Sequence, residues 1–172
     1  MQVITLNVLI ILFSPFVGFQ AAGSVIIGNC IGAMQIEMAK MYQKMIQLIG
    51  FIFSIIDGLI VYIFSVYITE YYTNIEEIKP DTIVMMKFLA LFQIFDASQG
   101  VTSGILRGLG KTKHASIVGL FSYWVLALPM EYLLAFHYKL EVLGLWQGLM
   151  FGSISHALLQ IYLVSCHYGD WV

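Results

Sequence analysis

Charge is what this sequence has least of. Only 10% of its 172 residues are Asp, Glu, Lys or Arg, while 60% are hydrophobic and the mean hydropathy is +0.88. A soluble domain carries roughly a quarter charged residues, so there is too little polar surface here to clothe a globule in water. The net charge of −2 says nothing about nucleic acid, but the basic residues form no run of the kind that would bind it, and no such partner is expected. Cysteine occurs twice, at Cys30 and Cys166, in or at the ends of apolar segments. That spacing gives neither a disulfide framework nor a metal-ligand set, and packed free thiols are expected. Four histidines, His114, His137, His156 and His167, are scattered without an H-E-x-x-H pair. A Ser–His–Asp order and a paired-Asp motif are also missing, so an intramembrane enzyme has no support. No catalytic residue, metal or cofactor is expected. Linkers, low-complexity segments and any soluble domain are missing as well.

What is present is a succession of long apolar runs. Segments close to or above about 18 residues recur, the mark of membrane-spanning helices. Residues 1–172 read as one unit with five spans, at about 3–34, 46–68, 83–106, 115–136 and 143–166. The predicted fold is an all-α, multi-pass integral membrane protein, in the plasma membrane or an internal one, with the lipid bilayer as its surroundings. The connections are short: QIEMAKMYQK, TEYYTNIEEIKPD, RGLGKTKH and HYKLE. At about 1.5 Å per residue the first span exceeds what the hydrocarbon needs, so either its tail enters the headgroups or it bends at Pro15. Basic residues fall in the first connection (Lys40, Lys44) and the third (Arg107, Lys111, Lys113), whereas the second is acidic. The first and third connections are therefore expected in the cytoplasm, the N-terminus outside and the C-terminus inside. An outside N-terminus without a basic n-region predicts a further helix upstream. Tyr71, Tyr72, Tyr138, Tyr168 and Trp171 stand near span ends as interfacial anchors. Gly100, Ser103, Gly104 and Gly108 give the third span a face on which helices approach closely.

Three acids fall inside the spans: Asp57, Asp96 and Glu131. Carboxylates are costly there, so function is the default expectation. Asp57 precedes Gly58 near mid-span with no obvious basic neighbour, and is either a water-facing functional acid or one tolerated in protonated form. Glu131 follows Pro129 and is expected to snorkel toward the outer interface. Asp96 is different, because Gln93, Gln99 and Gly100 at i−3, i+3 and i+4 share its helical face. Such a face lines a water-filled cavity, where a carboxyl group can take up and release a proton.

The stretch FDASQGVTSGILRGLGKTK resembles the tenth-helix segment of the multidrug and toxic compound extrusion family. Asp96 falls on that family's acidic position, and Arg107-Gly108-Leu109-Gly110 on its Arg-Gly-x-Gly. PFVGFQAAGSVIIGNCIGA is similar to the eighth-helix pattern through Pro15, Gly18, Ala22, Ser24, Gly28, Asn29, Gly32 and Ala33. YYTNIEEI resembles the loop before helix ten, YWVLALPMEYLLAF the Tyr–Pro pattern of helix eleven, and VLGLWQGLMFG the start of helix twelve. The five segments come in the family's order and cover nearly the whole chain.

The resemblance implies that the five spans are helices eight to twelve of a twelve-helix antiporter built from two six-helix lobes. Its members alternate access and export organic cations or xenobiotics in exchange for protons or sodium. It also implies that the first lobe and the seventh helix lie outside this sequence, so that a missing N-terminal lobe is an expected partner beside a small organic substrate. Asp57 and Glu131 match no acid of the family. The candidate substrate- or cation-binding residues are Asp96, Gln99, Gln93, Asn29 and Tyr123. The alternative is a non-transporting truncated fragment, a packing partner for other lobes.

Overall fold

The computed structural model describes residues 2–166, without the side chain of Cys166, and every regular element among them is helical. Two of the expected interfacial anchors, Tyr168 and Trp171, and His167 lie outside the described residues. Five long helices follow one another: α1 (Gln2–Gly32), α2 (Ile36–Tyr72), α3 (Lys79–Gly108), α4 (Thr112–His137) and α5 (Glu141–Cys166). A short 3-10 turn, Glu76–Ile78, leads into α3.

The helices outrun the apolar segments that mark them. α2 is 37 residues long, although the sequence predicts a span at 46–68 preceded by a ten-residue connection. Most of that connection is helical: Glu37 and Lys40, one turn apart, pair at 3.0 Å, while Ala39 and Gln43 are buried against the bundle. Charge there marks the edge of the hydrocarbon rather than the end of the helix. α1 and α3 both end in a Schellman motif. At α3 the Gly110 and Lys111 N–H groups donate back to Arg107 and Leu106, with Gly110 at φ +71°. At α1 the Met34 and Gln35 N–H groups donate to Ile31 and Cys30 in the same pattern, but a methionine occupies the left-handed position, at φ 58°.

Pro15 is accommodated inside α1, which stays one helix. Pro129 has a wider effect, because it lacks the N–H that would donate to Val125 and its ring crowds that turn. α4 remains one rod, but it is wound as a π-helix over Phe121–Ala127 and again over Leu133–His137.

α3 is the central helix. α1 and α2 pack on one side of it and α4 and α5 on the other, leaving a groove between α1 and the α4–α5 pair. α1 and α3 run parallel and very close: a Cβ at Gly104 would strike the Gln20 backbone, and one at Gly108 would lie 2.6 Å from the Ser24 carbonyl. α2 runs antiparallel, with Gly50 facing Val101 and Gly58 facing Ala90. The turns after α1 and α3 therefore lie at one end of the bundle and those after α2 and α4 at the other. α1, α2, α4 and α5 are long and apolar enough to cross a membrane. α3 is long enough but more polar, and it can be so because its neighbours shield it from lipid. Two apolar clusters fill the interior. One, with Met85, Met86, Leu89, Phe92 and Trp146, lies toward the acidic end, and the other, with Phe16, Ile27, Val101, Ile105 and Leu106, toward the basic end.

Candidate functional site

Between those two clusters α3 carries its polar residues. Asp96 and Gln99 are separated by three positions, so one helical turn sets the carboxylate beside the amide. Gln99 Nε2 donates to Asp96 Oδ1 at 2.8 Å and to the Tyr123 hydroxyl at 3.1 Å. Tyr123 comes from the first π-helical stretch of α4, and its hydroxyl meets Ser153 Oγ on α5 at 3.3 Å. One hydrogen-bonded group thus joins α3, α4 and α5 at mid-height. Asp96 is half-buried and opens onto a cavity of about 340 Å³ whose other walls are α1 residues, Phe13 and Ser14 among them. No Lys, Arg or His lies within ion-pair distance of it among the described residues; the ion pairs Glu37–Lys40 and Glu76–Lys79 are at the helix ends. A carboxyl group so placed, hydrogen-bonded by Gln99, beside Ser153 and open to a cavity, can receive a cation or a proton.

The structure brings Asp96, Gln99 and Tyr123 together. Gln93, expected on the same face, is fully buried but turns toward α2, where it lies against Asp57. The two side chains face each other as hydrogen-bonding groups but outside good hydrogen-bond geometry, so both are poorly satisfied. Asn29 is exposed near the basic end, next to the contact of Gly28 with Gly108. Twelve residues of α3 separate Gly108 from Asp96, about 18 Å along the axis. Glu131 is partly exposed; its backbone is pressed against Gly148 and its side chain borders the groove with Leu9 and Trp146. Cys30 is a buried free thiol.

Sequence reasoning missed four residues. Lys87, inside the third span, is exposed and lies 5.7 Å from the centroid of Tyr62. Ser153 completes the Asp96 group. His156 sets its ring edge-on to Tyr123 at 5.4 Å and approaches Gln160 Nε2 at 2.8 Å. The i, i+4 spacing of His156 and Gln160 on one face of α5 is the signal that could have found the pair. No group of three or more His, Cys, Asp and Glu side chains converges as a metal site among the described residues.

Comparison with known proteins bears on the family and the helical fold. The MatE family profile matches residues 3–133. The chain is 32% identical over 166 residues to a "Probable multidrug resistance protein NorM" of Photorhabdus laumondii, across 94% of this chain and 36% of that protein. It is 30% identical over 154 residues to the "Multidrug and toxin extrusion protein 1" of Danio rerio, across 90% of this chain and 26% of that one. The crystal structure of the eukaryotic MATE transporter AtDTX14 superposes with a TM-score of 0.89 at 29% identity, covering 93% of this chain and 36% of its own. The chain therefore spans about a third of the length of such relatives. With a match over well more than half of its length and the same helical arrangement, this integral membrane protein belongs to the MatE family of multidrug and toxic compound extrusion transporters.

Proposed function

We propose that this chain supplies the coupling half of an antiporter that exports organic cations or xenobiotics in exchange for protons or sodium, and that it acts as a transporter rather than an enzyme. The observation that carries this reading is Asp96, an unpaired carboxyl group in the interior of the lobe, held by Gln99 and Tyr123 and open to a cavity. When the carboxyl is charged, the cavity attracts a cation; when it is neutralised by a proton or by sodium, that attraction is lost. Exchange follows from the competition, because coupling ion and organic cation satisfy the same carboxylate in turn. No further cofactor enters. Gln99 positions the carboxylate, and Tyr123 offers both a hydroxyl and an aromatic face to a cationic substrate. Alternating access needs a second lobe for the first to rock against, so a partner lobe upstream, in the same protein or beside it, belongs to this proposal.

The test is reconstitution. Joined to the N-terminal lobe of a relative, by fusion or co-expression, the chain should drive gradient-dependent export of a fluorescent organic cation from vesicles. Failure of every such combination to export, while the assembled protein is folded, would contradict the proposal. A second reading, a packing fragment without transport, has one observation in its favour: the chain covers only 36% of the NorM relative. It predicts that the chain alone inserts and folds but moves no substrate.

A further inference from the structure

A second polar cavity, of about 430 Å³, lies at the basic end of the lobe; none of Asp96, Gln99 and Tyr123 lines it, and His156 in its wall is the one that touches Tyr123. Arg107, at the end of α3, and Thr112 and Ser116, on the first turns of α4, form its rim; Ser103, His156 and Gln160 line it further in. Its wall contains a guanidinium and three hydroxyls and no carboxylate, in a chain with more acidic than basic residues. His156 and Gln160 are 7% and 1% exposed; the His156 ring has the Ala115 backbone beside it, whereas Gln160 Oε1 has no hydrogen-bond partner among the described residues. Gln160 Nε2 already contacts Ser103 Oγ at 2.7 Å and His156 Nε2 at 2.8 Å. Turning that amide over keeps both contacts, with Oε1 accepting from Ser103 and from a His156 Nε2–H, and leaves an NH2 donor where the unpartnered oxygen was.

α4 begins at this cavity. Its N-cap, Lys111, makes no side-chain cap, so the N–H groups of the first turn are left for another acceptor and the positive end of the helix points there. Buried polar groups in native proteins have partners. Here the unpartnered Gln160 atom borders a space whose side-chain wall holds one cation, hydroxyls and amides and no carboxylate.

We propose that this cavity binds a phosphate group, with the Arg107 guanidinium, the hydroxyls of Thr112 and Ser116 and the start of α4 as its donors. Guanidinium forks and helix N-termini are matched to phosphate oxygens. Lys111 and Lys113 in the same connection raise the local concentration of anions at the membrane surface. Two sources carry this chemistry: the headgroup of an anionic phospholipid of the adjoining leaflet, and a soluble phosphate.

The test uses the full chain in phosphatidylcholine nanodiscs, with phosphatidic acid incorporated in one arm and inorganic phosphate titrated in the other. Phospholipid adducts are read by native mass spectrometry and phosphate by the shift in melting temperature. Arg107→Gln should weaken binding about tenfold or more, as loss of a charge-assisted contact does. Ser116→Glu, at an exposed position, should abolish it by setting a carboxylate in the wall, and Lys139→Gln, at the opposite end, should leave it unchanged. Binding of phosphatidic acid alone identifies a lipid site, and binding of inorganic phosphate as well identifies a soluble ligand. Wild-type protein that takes up neither, or variants Arg107→Gln and Ser116→Glu that bind as wild type does, overturn the proposal.

Discussion

At the scale of single residues, the Gln99 amide nitrogen decides the site. It donates to Asp96 and Tyr123 at once, so the carboxylate has a fixed direction and α4 a fixed distance from α3. Asp57 and Gln93 show the opposite condition, with three buried polar atoms poorly satisfied across the α2–α3 contact among the described residues. Such atoms cost about 1–3 kcal/mol each when nothing satisfies them. The double variant Asp57→Leu/Gln93→Leu should therefore resist unfolding by dodecyl sulfate better than wild type, by roughly 1–3 kcal/mol in all. A destabilised double variant would show that the pair is satisfied, by its mutual contact or by a bound water or ion. The Asp96–Gln99 pair was legible in the sequence because both residues lie on one helix, where spacing fixes neighbours. Gln93 lies inward as expected but against Asp57 of α2, because a single face of a central helix touches two neighbours, and packing, not periodicity, chooses between them. Ser153 and His156 were illegible for a related reason: they reach the site from a helix more than fifty positions away.

At the scale of elements, the five helices could be read from hydropathy and their ends could not. Composition reports where hydrocarbon stops, while α2 continues for several turns beyond it on charged and polar residues. The stop at Gly110 was foreseeable, since glycine suits the left-handed position; the equivalent stop at Met34 was not. The left-handed conformation costs a non-glycine residue roughly 1–2 kcal/mol, and the Met34 side chain is 88% exposed and has little packing to lose. Met34→Gly should accordingly stabilise the protein by about 1 kcal/mol, and Gly110→Ala should destabilise it by a similar amount. A Met34→Gly variant that melts lower than wild type would contradict this account of the α1–α2 turn. The small-residue face of α3 is the other element-scale feature the sequence revealed. Gly104→Val would push a side chain into the backbone of α1 at Gln20. It should cost about 1–3 kcal/mol or more, read as a lowered melting temperature, and wild-type stability would mean that α1 does not pack there.

At the scale of the whole molecule, a helix with an acid and three glutamines or serines in its middle survives because four more apolar helices surround it. Its polarity is what leaves α3 out of the helices apolar enough to cross a membrane, and its central place is what lets it bear the site. Cysteine substitutions at Lys40, Lys111 and Glu76, labelled in intact cells by an impermeant thiol reagent, should report Glu76 opposite the other two. Labelling of Lys111 and Glu76 from one side would refute the up-and-down arrangement. The central claim concerns Asp96 itself, and the most direct measurement is made on the chain rejoined to an N-terminal lobe in vesicles. Asp96→Asn keeps the size and the hydrogen bond from Gln99 through a turned amide but cannot change charge. Ion-driven export of an organic cation should fall at least about tenfold in that variant, with the protein still folded. Export by Asp96→Asn at the wild-type rate and with the wild-type dependence on the ion gradient would contradict the account.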